Sequence, residues 1–220
     1  MTTFEQTPLN RVRRLPKRGH YDRATIDPII DAALICHVGF VQDGQPFVIP
    51  TLHARDGADI LLHGASTSRM VQHLAAGEPA CLTITHVDGI VLARSVFHHS
   101  INYRSAVLFG RAEPIESPEE KLEALARFTE RLLPGRWQDA RPPNAQELKA
   151  TGVVRFTIES ASAKIRNGPP GDEPEDLDLA VWAGVLPLHT QLGTPQPDPQ
   201  QPAGLPLPGY LRDFLDQHSG

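Results

Sequence analysis

One arginine and three hydroxyl-bearing residues stand where a predicted strand gives way to a predicted helix. In the segment LLHGASTSRM, the strand ends at Gly64 and Ala65, whose small size lets a ligand approach the backbone. The hydroxyls of residues 66–68 and the guanidinium of Arg69 follow at the start of the helix, where free N–H groups and the helix dipole favour an anion. This pattern predicts a phosphate site, although a simple helix cap beside a solvent-facing arginine would have the same sequence.

A second polar cluster, HHSINYRS (residues 98–105), precedes another predicted strand. Arg104 adds a second guanidinium, and Tyr103 adds a flat aromatic ring. Two arginines, a group of hydroxyls and a tyrosine suit a ligand that carries both a phosphate and a planar ring. The residues alone indicate only this class of ligand.

The adjacent residues His98 and His99 raise the question of a metal. Because they lie in a predicted strand, their side chains would point to opposite faces and would not share one ion. No HxxxH or HxxEH pair lies on a predicted helix, and no carboxylate stands at ligand spacing beside them. We therefore predict no metal site, with one histidine facing the interior or an interface and the other facing solvent.

Several functional classes lack their sequence signatures in these 220 residues. GASTS (residues 64–68) lacks the final glycine of G-x-S-x-G, and no G-x-G-x-x-G, P-loop or C-x-x-C motif occurs. A net charge of -5 disfavours general nucleic-acid binding, and no apolar run approaches the roughly 20 residues of a membrane span. The first 22 residues show no apolar segment of a secretory signal. We expect a cytoplasmic protein with no nucleic-acid or membrane partner, and with Cys36 and Cys81 as buried free thiols.

The strands that must position these residues form successive hairpins. Asp43-Gly44 joins two apolar runs, Asp56-Gly57 marks the next turn, and Asp88-Gly89 is expected to divide residues 79–99 into two strands. Two further apolar segments, at 105–115 and 152–166, bring the expected total to seven strands. This arrangement predicts a mainly β protein, an antiparallel barrel or sandwich with a few short helices.

The helices are expected at the ends of these strands. Residues 25–34 form a predicted helix with Thr25 as its cap, and residues 66–79 form a second. The clearest helix begins at Ser117, with Pro118 in the first helical position and Glu120 completing a capping box.

The two ends of the chain differ in composition from its centre, and we divide it into three parts. Residues 1–24 form a basic arm, which either packs on the domain or reaches a phosphate or a partner subunit. Residues 25–168 form the barrel domain. Residues 169–220 hold ten of the 21 prolines and are expected to form an extended, partly docked tail that ends in a short helix at GYLRDFLD.

Five segments in order resemble the pyridoxamine 5'-phosphate oxidase-related, flavin-nucleotide-binding family, close to its nitroimidazole-resistance-like branch. They are RGHYD, VGFVQDGQPFVIPTLHAR, LHGASTSRM, CLTITHVDGIVLARSVFHHSINYRSAVLFG and SASAKIRNGPP, and the resemblance runs from about residue 18 to 182. It implies a split β-barrel of Greek-key type that binds FMN at a homodimer interface.

The resemblance also implies where the flavin would lie. A strand under the flavin ring, a phosphate-side segment and a closing strand would supply the cofactor-binding residues, with Trp182 covering a pocket. These residues are Pro50, Thr51 and Leu52; His63, Gly64, Ala65, Ser68 and Arg69; and Asn102, Tyr103, Arg104 and Ser105.

The expected function is that of a dimeric FMN-dependent oxidoreductase acting on a small molecule, either nitroreductase-like or pyridoxamine-phosphate-oxidase-like. The flavin would carry the chemistry, so no catalytic side chain is assigned. The tail PLPGYLRDFLDQHSG lacks the tryptophan beside an arginine that true pyridoxamine phosphate oxidases carry at this end. Two alternatives stay open: a haem-binding or haem-handling protein with His63 or His98 as axial ligand, and a flavin-binding protein without catalytic activity.

Overall fold

The computed structural model describes residues 3–202 and 204–218. The strands are β1 (Gly19–His20), β2 (Ile35–Gln42), β3 (Gln45–Asp56), β4 (Asp59–Ala65), β5 (Ala80–Leu92), β6 (Ser100–Pro114), β7 (Thr151–Arg166) and β8 (Gly184–Pro187). The α-helices are α1 (Arg23–Ala32), α2 (Arg69–Ala75), α3 (Pro118–Leu132), α4 (Arg136–Asp139), α5 (Ala145–Ala150) and α6 (Gly209–His218). Three 3-10 helices cover Pro16–Arg18, Val96–His98 and Pro174–Asp176.

Six of the strands close into a barrel. Neighbouring strands run in the order β7, β4, β3, β2, β5 and β6, and β6 pairs back with β7. Every recorded pairing between strands is antiparallel, and β1 and β8 extend the edges of β7 and β5. The predicted mainly β split barrel is therefore confirmed.

The barrel buries an apolar core that two helices help to cover. Helix α1 contributes Ile26, Ile29 and Ile30, and α2 contributes Met70, Val71 and Leu74. A second apolar cluster includes Leu61 of β4, Val153 of β7 and Phe128 of α3. Because Leu61 alternates with the core residues Ile60 and Leu62, α3 covers the outside of the barrel wall at this point.

Two Asp-Gly pairs behave differently in the sheet. Asp43 and Gly44 both have positive φ angles, 52° and 76°, as the predicted two-residue hairpin requires. The predicted turn at Asp88-Gly89 is wrong, since β5 continues through it with only a register shift between Val87 and Gly89. The glycine is needed here for another reason: an added Cβ would lie 2.9 Å from Val185 Cγ1 of β8.

Two helix caps also differ from the predictions. Helix α1 begins two residues before Thr25, because the side chain of Asp22 accepts the Thr25 N–H at 2.8 Å and caps it. Ser117 caps α3 as predicted, accepting the Glu120 N–H at 3.3 Å. Its hydroxyl donates to Glu119 at 2.9 Å, and no reciprocal bond from the Glu120 side chain is recorded. The predicted capping box at Ser117 is therefore wrong.

Arg131, near the end of α3, joins this helix to the end of α1. Its guanidinium donates to the carbonyls of Ile30 (3.1 Å), Asp31 (2.9 Å), His53 (3.1 Å) and Ala33. The last carbonyls of a helix lack partners within the helix, and a cation there also complements the helix dipole. One side chain therefore fixes α1, β3 and α3 together.

His53 is buried beside the same carbonyls. Its Nε2 donates to the Ile30 carbonyl at 3.0 Å, while Nδ1 is buried with no partner in the described residues. Burial lowers the pKa of His53, and the charge of Arg131 acts in the same direction. The hydrogen bond to Ile30 and the charge of Asp31 oppose this shift without reversing it.

We expect the protein to lose stability as the pH falls from 7.5 to 5.5, and His53→Gln to reduce that loss. With its pKa lowered in the folded state, His53 binds a proton more readily when unfolded, so acid favours unfolding below the ordinary pKa of about 6.5. Urea unfolding of both proteins at the two pH values measures the effect. An equal loss in both proteins would show that His53 does not contribute.

The two ends of the chain contact the barrel at specific points. Asn10 of the basic arm is buried and donates to the Ala161 carbonyl of β7 at 3.1 Å. The tail forms the predicted terminal helix α6, and its Tyr210 hydroxyl donates to Asp139 of α4 at 2.7 Å. Across the described residues, no helix is both long enough and apolar enough to span a membrane.

Candidate functional site

Strands β3 and β4 separate partway along their length. Their recorded pairs end at His53 and Leu62, but β3 remains paired with β2 back to Gln45, and β4 remains paired with β7 as far as Ala65. We call the opening between residues 45–52 of β3 and 63–65 of β4 the split. Two of the predicted groups, Pro50 to Leu52 and His63 to Ala65, therefore lie on its two sides, where the edge of β3 has no β4 partner.

The loop that follows β4 leads from the split into α2. Ser66 and Thr67 are exposed, and Ser68 caps the helix by accepting the Val71 N–H at 3.3 Å. The backbone N–H groups of Ser66 and Ser68 donate to Ala150 and Ala65. Because these groups are already engaged and α2 has only seven residues, the helix end itself offers little to an anion.

Arg69 is a cation at this end of the split that has no carboxylate partner among the described residues. Its guanidinium lies over the ring of Phe47 on β3, 4.1 Å from the ring centroid, and the side chain is exposed. No ion pair of Arg69 is recorded among the described residues. The stacked, unpaired fork is therefore available to a phosphate. Phe47, whose ring lies under the Arg69 guanidinium, was not identified from the sequence, because aromatic residues are common in hairpin strands and give no sign of a binding role.

Arg104, the second predicted phosphate residue, is engaged within the fold. Its Nε and Nη2 atoms donate to the two carboxylate oxygens of Asp88 at 2.9 and 2.8 Å. This hydrogen bonding lowers the pKa of Asp88 and raises that of Arg104. A phosphate at Arg104 would have to replace the bidentate carboxylate of Asp88, whereas a phosphate at Arg69 would displace no carboxylate.

The other residues of the predicted NYRS group hold β6 against β7. The buried Asn102 accepts a hydrogen bond from Arg166, and the hydroxyl of Ser105 donates to the Lys164 carbonyl at 3.3 Å. Strands β5 and β2 lie between β6 and β3 on one path around the barrel, and β7 and β4 lie between them on the other, so Ser105 and Leu52 stand on opposite walls of the barrel. Within one chain the structure therefore does not bring this group to the split.

His63 lies on the β4 side of the split. Its ring packs on Phe128 of α3 with centroids 4.3 Å apart, and burial lowers its pKa. Its Nδ1 atom is buried without a hydrogen-bond partner in the described residues. An unpartnered polar atom beside an open strand edge fits a ligand that supplies the missing partner.

The stretch before β6 forms a 3-10 turn, so the prediction that His98 and His99 lie in a strand is wrong. Ser95 caps the turn by accepting the Phe97 N–H at 3.3 Å. Val96 and Phe97 are 86% and 88% exposed, and His98 Nε2 lies 3.5 Å from Glu173. An aromatic and an aliphatic side chain thus stand in solvent beside a histidine that faces a carboxylate.

Trp182 of the tail is 68% exposed, so the predicted covering of a pocket by its ring is not seen in this chain. The free thiol of Cys36 is buried, which raises its pKa to about 12, whereas Cys81 is only partly buried. Within the part of the chain that the structure describes, no group of three His, Cys, Asp or Glu side chains is arranged to hold a metal ion.

Comparison with known proteins gives matches over most of the chain. A family model described as pyridoxamine 5'-phosphate oxidase matches residues 22–165, whereas the search of curated proteins found no match. The flavocytochrome Anf3 from Azotobacter vinelandii is 39% identical, with a TM-score of 0.89 over 94% of this chain and 96% of that chain. The FAD and haem binding protein from Mycobacterium smegmatis is 37% identical, with a TM-score of 0.85 over 89% and 96%. A protein described as a 5-nitroimidazole antibiotic resistance protein from Bacteroides thetaiotaomicron, 24% identical with a TM-score of 0.54 over 66% and 84%, shares the fold alone.

Proposed function

Since this chain belongs to the pyridoxamine 5'-phosphate oxidase family, we propose that it is a flavin-binding oxidoreductase whose flavin phosphate lies against Arg69 at the split. The observation that carries the proposal is the unpaired guanidinium of Arg69, stacked on Phe47 beside the open edge of β3. The two relatives above 35% identity are described as a flavocytochrome and as an FAD and haem binding protein, which supports it.

The residues around the split fit a flavin nucleotide. Arg69 offers a charge-assisted contact to a phosphate, and the hydroxyls of Ser66 and Thr67 are exposed beside it. The edge of β3 near Thr51 offers backbone groups to the polar rim of a planar ring, and the Nδ1 atom of His63 lacks a hydrogen-bond partner in the described residues. Polar groups are thus available for both parts of the ligand.

A bound flavin supplies hydride-transfer chemistry, so the protein needs no nucleophile of its own. This chain's residues would hold and orient the ring. The backbone amide near Thr51 would donate to the polar edge of the ring, Pro50 and Leu52 would lie beneath it, and Arg69 would fix the phosphate. We propose a small-molecule redox partner. Pyridoxamine phosphate itself is disfavoured because the segment PLPGYLRDFLDQHSG contains Arg212 but not the tryptophan that true oxidases carry near such an arginine.

We propose FAD ahead of FMN as the flavin, because the 37% identical relative is described as binding FAD. Titration of flavin-free protein with FAD, FMN and riboflavin, followed by flavin fluorescence, tests whether the protein binds a flavin and which flavin it prefers. We expect FAD to bind most tightly and riboflavin most weakly. Tighter binding of FMN than of FAD would show that FMN is the preferred flavin. A failure to bind any flavin would reject the proposed function.

We also propose that two copies share the site. Ile35, Val41 and Val48 are 42%, 59% and 68% exposed on one outer face of β2 and β3, next to the split. A second copy covering this face would remove the apolar side chains from water and would bring its own residues next to the split. Light scattering on the titrated sample should give a dimer, and a monomer that retains its flavin would contradict the shared site.

Haem is the second cofactor that we propose, with His98 as its axial ligand. Val96 and Phe97 offer an exposed apolar surface next to His98, and Glu173 stands beside the ring as a carboxylate partner that can orient a ligand histidine. His63 is the weaker candidate, because its ring is packed under Phe128. Both relatives above 35% identity have descriptions that support a haem here.

We expect His98→Ala to abolish haem binding while flavin binding is kept. Absorption spectra of the protein titrated with haem measure the loss of the Soret band. A fluorescence titration of the same variant with FMN measures whether flavin binding is kept. His189→Ala, which changes an exposed histidine in the tail, is the matched control. An unchanged haem spectrum in His98→Ala would rule out His98 as a ligand.

A further inference from the structure

A cationic pocket lies between the basic arm and the far end of β7. Its volume is about 540 Å³, and its walls include Lys17 and Arg18 of the 3-10 turn, His20 of β1 and Arg166 at the end of β7. The segment 167–171 closes the remaining side. Three permanent positive charges therefore face one small volume.

Among the residues that the structure describes, no carboxylate lines this pocket. The acids nearest along the chain are engaged elsewhere: Asp22 caps α1, Asp172 accepts from the backbone and guanidinium of Arg94 at 2.7 and 3.0 Å, and Glu173 faces His98. No ion pair of Lys17, Arg18 or Arg166 is recorded among the described residues. The pocket thus has an excess of positive charge that the fold itself does not neutralise.

Arg166 is held rigidly in this position. It is 9% exposed, and its guanidinium donates to Asn102 and to the carbonyls of Gly168 and Pro169, both at 2.9 Å. Burial, together with the charge of Arg18, lowers the pKa of Arg166. A buried guanidinium with neutral partners and a second guanidinium nearby is costly unless an anion reduces the repulsion.

We propose that this pocket binds the phosphate or pyrophosphate group of a small molecule, at a site distinct from the split. The guanidinium of Arg18, the ammonium of Lys17 and the positive charge of the buried Arg166 match the charge of a phosphate, and the volume exceeds what a single inorganic ion needs. The split lies near the Thr151 end of β7, where Ala65 pairs with it, and the pocket lies at the Arg166 end. The site therefore does not depend on the proposed flavin site.

Thermal unfolding of the full-length protein in pyrophosphate, against sodium chloride of equal ionic strength, tests this proposal. We expect pyrophosphate to raise the melting temperature of the wild type. We expect Arg18→Gln and Lys17→Gln to weaken its apparent affinity about tenfold. Arg14→Gln is the matched control, since Arg14 is an exposed residue of the same arm that does not line the pocket, and it should behave as the wild type.

The measurement is made with and without bound flavin in order to distinguish the sources of the phosphate. A rise in melting temperature both with and without bound flavin supports a pocket that binds the phosphate of a separate small molecule. A shift only in the flavin-free form would show that the flavin's own phosphate fills this pocket, and it would overturn the proposal of a site distinct from the split. Equal shifts in Arg18→Gln, Lys17→Gln and wild type, or no shift in any protein, would overturn the proposal.

Discussion

Replacement of Arg69 by alanine should weaken FMN and FAD binding by one to two powers of ten and leave riboflavin binding nearly unchanged. Charge-assisted contacts to a phosphate contribute about 1.5–3 kcal/mol, and Arg69 has no carboxylate that already uses its fork. Riboflavin lacks the phosphate, so it reports on the ring alone. Fluorescence titration of the three flavins against wild type and Arg69→Ala measures the difference.

Arg104→Ala is the matched control for this experiment, because it removes an equal charge from a residue already paired with Asp88. We expect it to leave the ratio of FMN to riboflavin affinity at its wild-type value. Equal losses for FMN and riboflavin in Arg69→Ala would show that Arg69 supports the ring or the fold rather than the phosphate. A loss confined to Arg104→Ala would place the phosphate on the β6 side.

Replacement of Arg131 by methionine should lower the free energy of unfolding by about 3 kcal/mol or more. The variant keeps an apolar stem of similar length but removes the donor to the carbonyls of Asp31, Ala33 and His53. The Ile30 carbonyl also loses Arg131 but keeps its hydrogen bonds from His53 Nε2 and the Ala33 N–H. Each unsatisfied buried acceptor costs about 1–3 kcal/mol, and water can reach only some of them. Urea unfolding followed by circular dichroism measures the change.

Arg127→Met is the control, since Arg127 lies one turn earlier on α3 and pairs with Asp56 at 2.8 Å while 54% of its side chain is exposed. An exposed pair of this kind contributes about 0–1 kcal/mol. Comparable losses in the two variants would show that Arg131 acts through general charge or helix propensity. A much larger loss for Arg131→Met would show that the carbonyl contacts stabilise the fold.

The sequence predicted the elements whose signals are local. The hairpin at Asp43-Gly44 needs positive φ at two successive residues, and Asp-Gly is suited to that requirement. Asp88-Gly89 has the same letters but a different structure, because Asp88 pairs with Arg104 and Gly89 makes room for β8. Whether a given Asp-Gly pair forms a turn or lies within a continuous strand depends on residues distant in sequence, and the local sequence does not identify them.

The candidate site shows the same limit. Residues 50–52 and 63–69 could be proposed together, and the register of β3 and β4 places them on the two sides of one split. The sequence could not show that Arg104 is engaged by Asp88, since that contact depends on the pairing of β5 with β6. The cationic pocket also could not be predicted from the sequence, because Arg18 and Arg166 come close together only when β1 pairs with β7.

The absorption spectrum of the purified full-length protein, with the released cofactor identified by mass, tests the central claim most directly. We predict flavin absorption at about one flavin per chain, with FAD as the released molecule. A protein that is purified without flavin and that also fails to take up added FAD or FMN would contradict the account.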